Sequence, residues 1–170
     1  MGSKITKQEF VKLIEENQDL IWKVVAIYHK NKTDQEDAFQ EILLSLWKAY
    51  PTFQGRSKIS TWMYRVALNT VIAGFRKSSN KMHNRRTDQN INDDLITPEN
   101  YNISEDIECL YKAIEYLSDI EKAIIMLYME EKSYEDIADI LGMTRTNVGV
   151  KINRIKKKLK KIYNKVANGY

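Results

Sequence analysis

Apolar residues recur every three or four positions along nearly the whole chain, and the recurrence lapses over only one stretch, residues 81–104. That spacing is the signature of one buried helical face, so the chain is constrained to helices that pack against one another. With six Gly and two Pro in 170 residues there are few natural breaks, and an all-α protein is predicted. The lapsed stretch cannot join a core. Residues 87–106 hold six acids and no Lys or Arg, and such a composition buries too little apolar surface to offset the entropy of ordering it. The predicted organisation is two small helical domains, 1–80 and 106–170, joined by a flexible acidic linker over 81–105. A linker of about 24 residues spans at most ~80 Å.

Helix starts are marked by capping residues. Thr6 with Glu9, Thr33 with Glu36, Ser118 with Glu121 and Ser133 with Asp136 have the spacing of reciprocal caps, while Ser60 and Thr144 are single candidates. Behind them run apolar stripes: Phe10, Leu13 and Ile14, then Leu20, Val24 and Tyr28, then the pairs Ala38-Phe39, Ile42-Leu43 and Leu46-Trp47, which stop before Pro51. After Ser60 a helix is expected to about Lys77. Beyond the linker come Ile107, Leu110, Tyr111, Ile114 and Leu117, and the final helix carries Val148, Ile152, Ile155, Leu159 and Ile162 at steps of 4, 3, 4 and 3.

The net charge of +4 conceals strong segregation. Residues 51–90 carry eight Lys/Arg against one acid, residues 91–142 three against fourteen, and residues 143–170 nine against none. Two cationic blocks around an anionic one suit two contacts with a polyanion, held apart by a segment that avoids it. Other chemistries find little support. One cysteine, Cys109, permits no disulfide framework and no Cys-based zinc site. His29 and His83 lie far apart with no carboxylate constellation around them, so neither a metal, a cofactor nor an enzyme is expected. No apolar run is long enough to span a membrane, and the start lacks the apolar stretch of a signal peptide, which makes the cytoplasm the expected compartment.

Tyr134 to Ile155 has the arrangement of a helix-turn-helix. Ile137, Ala138 and Leu141 face inward, the small Ala138 permits close approach, and Gly142 suits a tight turn. The second helix then presents Thr144, Arg145, Thr146, Asn147, Lys151 and Arg154. These types suit a DNA groove: Arg can bond guanine twice, Asn adenine twice, and Thr offers a methyl and a hydroxyl. Lys156, Lys157, Lys158, Lys160 and Lys161 are better suited to phosphates or an acidic protein. Upstream, Arg65, Asn69 and Arg76 fall on one line of an otherwise apolar helix, with Arg56, Ser57, Lys58 and Lys77 beside it. Such a line can take a nucleic acid strand, with Trp62 or Phe53 available for base stacking, although both types more commonly fill cores.

Two blocks carry a family resemblance. Gln35 to Glu41 with Ser60 to Asn69 resembles region 2 of sigma factors, and Leu117 to Glu121 with Ser133 to Gly142 resembles region 4. Size and a bare linker match the extracytoplasmic-function (ECF) group of the sigma-70 family. The resemblance implies a factor that binds bacterial RNA polymerase core and directs it to promoters. It implies that Asp34, Glu36, Asp37, Gln40 and Glu41 dock on the beta-prime clamp helices. Arg56, Ser57, Lys58, Thr61, Trp62, Arg65, Asn69, Arg76 and Lys77 would recognise the −10 element, the second helix of the region 4 motif would read the −35 element, and region 4 would rest on the beta flap. An anti-sigma factor, or another DNA-targeting protein that recruits this one, is a further partner class. One departure stands out: Gly149 and Val150 replace the basic and hydroxyl residues usual in the family, which removes a side chain expected to touch DNA. The competing expectation is a helix-turn-helix repressor or activator that works without polymerase, binding paired half-sites as a dimer.

Overall fold

The computed structural model describes residues 6–82 and 105–167. Among them are seven α-helices, one 3-10 turn and no strand. The chain divides into two compact units, with the division between Ile96 and Thr97. Most of the expected linker lies outside the described residues.

The first unit contains α1 (Lys7–Tyr28), α2 (Lys32–Ala49), the 3-10 turn Tyr50–Thr52 and α3 (Ile59–Met82). The three helices pack pairwise. Ile21, Val24 and Val25 of α1, Ile42 and Leu46 of α2, and Met63, Ala67 and Leu68 of α3 are all 1% exposed or less. The two N-terminal stripes are one continuous helix. It opens on the expected Thr6–Glu9 box, in which the Glu9 amide donates to Thr6 Oγ1 at 3.2 Å and the Thr6 amide to Glu9 Oε2 at 2.7 Å. The cap of α2 differs from the Thr33–Glu36 expectation. Asn31 is the N-cap, accepting from the Asp34 amide at 2.7 Å, so Thr33 falls inside the first turn. Asn is the stronger N-cap residue of the two, and this one directly follows the turn out of α1, where the Gln35 side chain also donates to the His29 carbonyl at 2.8 Å. Likewise α3 begins at Ile59, placing Ser60 within its first turn, and it runs on to Met82 rather than ending near Lys77.

The second unit contains α4 (Glu105–Glu115), α5 (Asp119–Met129), α6 (Tyr134–Leu141) and α7 (Arg145–Ala167). Its spine is α7, on which α4, α5 and α6 all pack. Val148, Ile152 and Ile155 are at most 1% exposed, with Leu159 also buried. The Ser118–Glu121 box, the Ser133 cap and the Thr144 cap all form as expected. Leu141 is only half-buried and Ile140 takes the core position, because one helical turn on from Ile137 falls between them. Ile107 and Tyr111, expected in the buried stripe of α4, are exposed, and Ala113 and Ile114 form its core face, with Leu117 buried just beyond its end.

The capping geometry gives a direct test of the second unit. Ser118→Ala removes the hydroxyl that accepts from the Glu121 amide and should lower stability by ~1 kcal/mol. Urea denaturation followed by hydrogen exchange of α5 amides measures this.

Candidate nucleic-acid interface

The short helix α6 turns at Gly142 into the long helix α7. The left-handed backbone of Gly142 (φ 67°, ψ 38°) closes α6 and lets the Met143 amide reach the Ala138 carbonyl at 3.0 Å. L side chains seldom adopt this conformation, which is why glycine suits the turn. The buried line of α7 then fixes its outer face. At about 100° per residue, the positions opposite Val148, Ile152 and Ile155 are Thr146, Val150, Asn153, Arg154 and Lys157, and all of these are exposed. Thr146 and Arg154 were expected there, and the exposed Asn147 stands at its edge. Lys151 is half-buried on a flank. Asn153 was missed, although its step of five from Val148 on the same wheel would have found it.

Two residues near the start of α7 turn towards α6 instead of outward. Arg145 pairs with Glu135 through its Nε. Gly149 lies under the Tyr134 ring, and a Cβ added there would sit 3.4 Å and 3.7 Å from two ring carbons. The sequence reading that Gly149 forfeits a DNA-touching side chain is therefore corrected, because this position belongs to the packing of α6 on α7.

The lysines further along α7 divide similarly. Lys158 donates to Glu121 at 2.7 Å, and Lys156 donates to the Tyr128 hydroxyl at 2.7 Å, with its Nζ 4.2 Å from the ring centroid. Burial pushes the Glu121 carboxyl up, but hydrogen bonds from Lys158 and the Ser118 amide outweigh it, leaving the group below its ordinary value. Lys157, Lys160 and Lys161 remain exposed. Thr144 is likewise exposed and caps the helix, accepting from the Asn147 amide at 3.2 Å.

In the first unit, Arg65, Asn69 and Arg76 are exposed along one flank of α3, with Lys77 exposed further round. The preceding loop turns at Gly55 (φ 68°) and exposes Arg56 and Lys58, with Ser57 half-buried. Thr61 and Trp62 are buried, at 7% and 8% exposure. The Trp62 ring meets Tyr50 at 5.8 Å and Phe53 at 5.1 Å, so it packs the 3-10 turn against α3 and offers no free face for a base.

The acidic residues of α2 do not form one surface. Asp34, Asp37 and Glu41 line an open groove of about 390 Å³ with Ala38, Val71, Gly74, Phe75 and His29. Glu36 and Gln40 point about 100° away around the helix, towards the side that carries Leu44 and Trp47. Leu44 is 52% exposed, and Trp47, expected in the core, is 41% exposed. Trp47 still packs its edge on Phe10 at 4.9 Å, and the neighbouring Trp22 stacks on Phe39 at 4.3 Å while itself 38% exposed. The signal for Leu44 and Trp47 was available in their offsets of four and seven from Gln40. Burial pushes the His29 imidazole below its ordinary value, only partly offset by the charges of Asp34 and Glu41.

Among the described residues no group of three or more His, Cys, Asp or Glu could hold a metal ion, and no helix is long and apolar enough to cross a membrane. What the fold and surfaces define is a two-part helical DNA-binding protein with a helix-turn-helix in its second part. Comparison with known proteins narrows this class. Residues 13–81 match Sigma-70 region 2, and residues 107–159 match Sigma-70, region 4. The chain is 27% identical to the ECF RNA polymerase sigma-E factor of Haemophilus influenzae, with 98% of both chains covered. It is 26% identical to the factor of the same name from Escherichia coli strain K12, over 98% of this chain and 97% of that one. Two solved structures share the fold: the sigma factor RpoE in complex with the anti-sigma factor NepR from Bartonella quintana (TM-score 0.76, 20% identity, 92% of this chain and 98% of that one), and CnrH in complex with the cytosolic domain of CnrY (TM-score 0.66, 16% identity, 94% and 90%). The chain belongs to the sigma-70 family, in its ECF group, and is a promoter-recognising initiation factor of RNA polymerase. Neither region match nor relative points to an enzyme, and the polymerase-independent regulator is not favoured.

Two measurements test this geometry. Gly149→Ala should stabilise the second unit by up to ~1 kcal/mol through helix propensity, with promoter binding unchanged, because the added methyl faces Tyr134. The lowered His29 value means that the unfolded chain binds more protons than the folded one at mildly acidic pH. Stability of the first unit should therefore fall as pH drops below the ordinary histidine value of 6.5, and His29→Gln should remove that loss. All three tryptophans lie in this unit, so their fluorescence reports its unfolding alone.

Proposed function

We propose that the exposed flank of α3 (Arg65, Asn69, Arg76) with the loop Arg56–Lys58 engages the −10 element, and that the outer face of α7 engages the −35 element. Arg56, Lys58, Arg65 and Arg76 are cationic and exposed, as a surface that tracks a nucleic acid strand needs to be. Thr61 and Trp62 contribute by holding this flank in place. On α7, Thr146, Asn147, Asn153 and Arg154 are the base-reading candidates, while Lys157, Lys160 and Lys161 serve the phosphate backbone. Thr144 and Lys151 flank that face, and Arg145 reaches it by exchanging Glu135 for DNA.

Polymerase core is engaged by α2. An interface centre rich in aromatic and aliphatic groups with a charged rim is the usual anatomy of a docking surface. Leu44 and Trp47 supply the centre, with Glu36 and Gln40 beside them and Asp34, Asp37 and Glu41 on the flank towards α3. The beta-prime clamp helices are the proposed seat of α2, and the beta flap that of the second unit. The protein is not itself an enzyme. It acts in the cytoplasm, where the polymerase is, with an anti-sigma factor or a DNA-targeting recruiter as a further partner.

The observation that carries this reading is the separation of roles on one small bundle, with cations along α3 and an apolar, acid-rimmed face on α2. In vitro transcription with core enzyme of the native host on a genomic fragment pool tests it. Specific initiation should need both proteins, and promoter affinity should fall as salt rises. Arg154→Ala should weaken promoter binding by about 5- to 100-fold, and Arg145→Ala by less, because Arg145 is already committed to Glu135. Tight operator binding by the free protein would defeat the reading.

A further inference from the structure

The outer face of α7 carries one side chain that neither the core nor the charge pattern accounts for. Val150 is 44% exposed, and among the described side chains of α7 it is the one large apolar group on the surface. At about 100° per residue it stands within roughly 20° of the direction opposite the Val148–Ile152–Ile155–Leu159 seam. It is thus the centre of the face, with Thr146 one turn before it and Asn153 and Arg154 one turn after, all exposed. Folding gains little from it, because a β-branched residue is a poorer helix former than the lysines further along the same face. The weak helix former beside it, Gly149, has its reason in the Tyr134 ring, whereas an exposed valine fills no core.

Single exposed apolar residues are common on protein surfaces, so the surroundings of this one decide its meaning. One valine among Thr146, Asn153, Arg154 and Lys157 is too small an apolar surface for the centre of a protein interface. In a helix-turn-helix, the N-terminal part of the second helix is the part that meets base edges, and Val150 lies in the second turn of α7. Thr146, Asn147 and Val150 are all short, so the backbone can come close to the groove floor. Among the base edges of the major groove, the 5-methyl of thymine is the one apolar group. Over any other edge a valine would cover donors and acceptors without pairing them, which is unfavourable.

We propose that Val150 is a specificity-determining residue that reads one thymine of the −35 element by packing on its 5-methyl group. Asn153, one turn on, is of the type that bonds N6 and N7 of an adenine, and Thr146 closes the other side of the contact. This rests on the reading that the outer face of α7 engages the −35 element, and it assigns the base beneath the centre of that face.

Holoenzyme made from the full-length protein and core polymerase of the native host is bound to a promoter that it transcribes from the genomic fragment pool. Each −35 thymine is replaced in turn by deoxyuridine, which removes the methyl and keeps the base pairing. One replacement should weaken binding about three- to fivefold, the worth of one buried methyl group. Val150→Ser should abolish the response to that deoxyuridine, since both changes remove the same contact. Thr146→Ser should keep the response, which separates the valine from the threonine methyl. Circular dichroism checks that the helices persist; if Val150→Ser disturbs them, Val150→Gln, a better helix former, takes its place. A response that survives loss of the valine, one abolished by Thr146→Ser, or no response at any −35 thymine would overturn the contact. Binding that ignores replacement of the whole −35 element would instead overturn the reading of α7 itself.

Discussion

Each unit of this protein is small, and each is held by one seam of apolar side chains from which almost all water is excluded. In the second unit the seam is Val148, Ile152, Ile155 and Leu159 on α7, against which three shorter helices close. In the first it is the meeting line of α1, α2 and α3 around Ile21, Ile42, Leu46 and Met63. Small domains bury a modest fraction of their surface, so such seams supply most of the stability available. Everything outside them is free to carry charge, and the phase of each seam decides where that charge points.

This constraint explains how one helix can serve two purposes. The inner edge of α7 is core, so its outer edge is committed to the surface, where Thr146, Asn153, Arg154 and Lys157 stand. On α3 the same logic leaves one flank for Arg65, Asn69 and Arg76 and the other for the groove with α2. Aromatic packing settles the remaining ambiguity. Tyr50, Phe53 and Trp62 form an aromatic cluster beside the basic loop, in which Trp62 is buried while Tyr50 and Phe53 stay half-buried.

The helices themselves could be read closely, because caps and periodicity are local. Thr6, Ser118, Ser133 and Thr144 cap where their spacing suggests, and Gly142 turns where a left-handed residue is needed. Errors fell where two local answers compete. Asn31 displaced Thr33 as a cap, since Asn is the stronger N-cap residue and stands two positions earlier. Trp47 and Tyr111 look like core residues in a stripe, yet both are exposed, and Trp47 keeps only an edge contact with Phe10 of α1.

What the sequence determined alone was the helical class, the alternation of cationic and anionic blocks along the chain, and the helix-turn-helix, because each depends on residue order within a few turns. The tertiary structure decided which side of each helix is available. It turned Arg145 and Gly149 towards α6, sank Thr61 and Trp62, and split the acids of α2 between a groove and an apolar face. Those outcomes depend on which helix packs on which flank and at what rotation, and that is fixed by the mutual fit of side chains distant in the chain rather than by any local spacing.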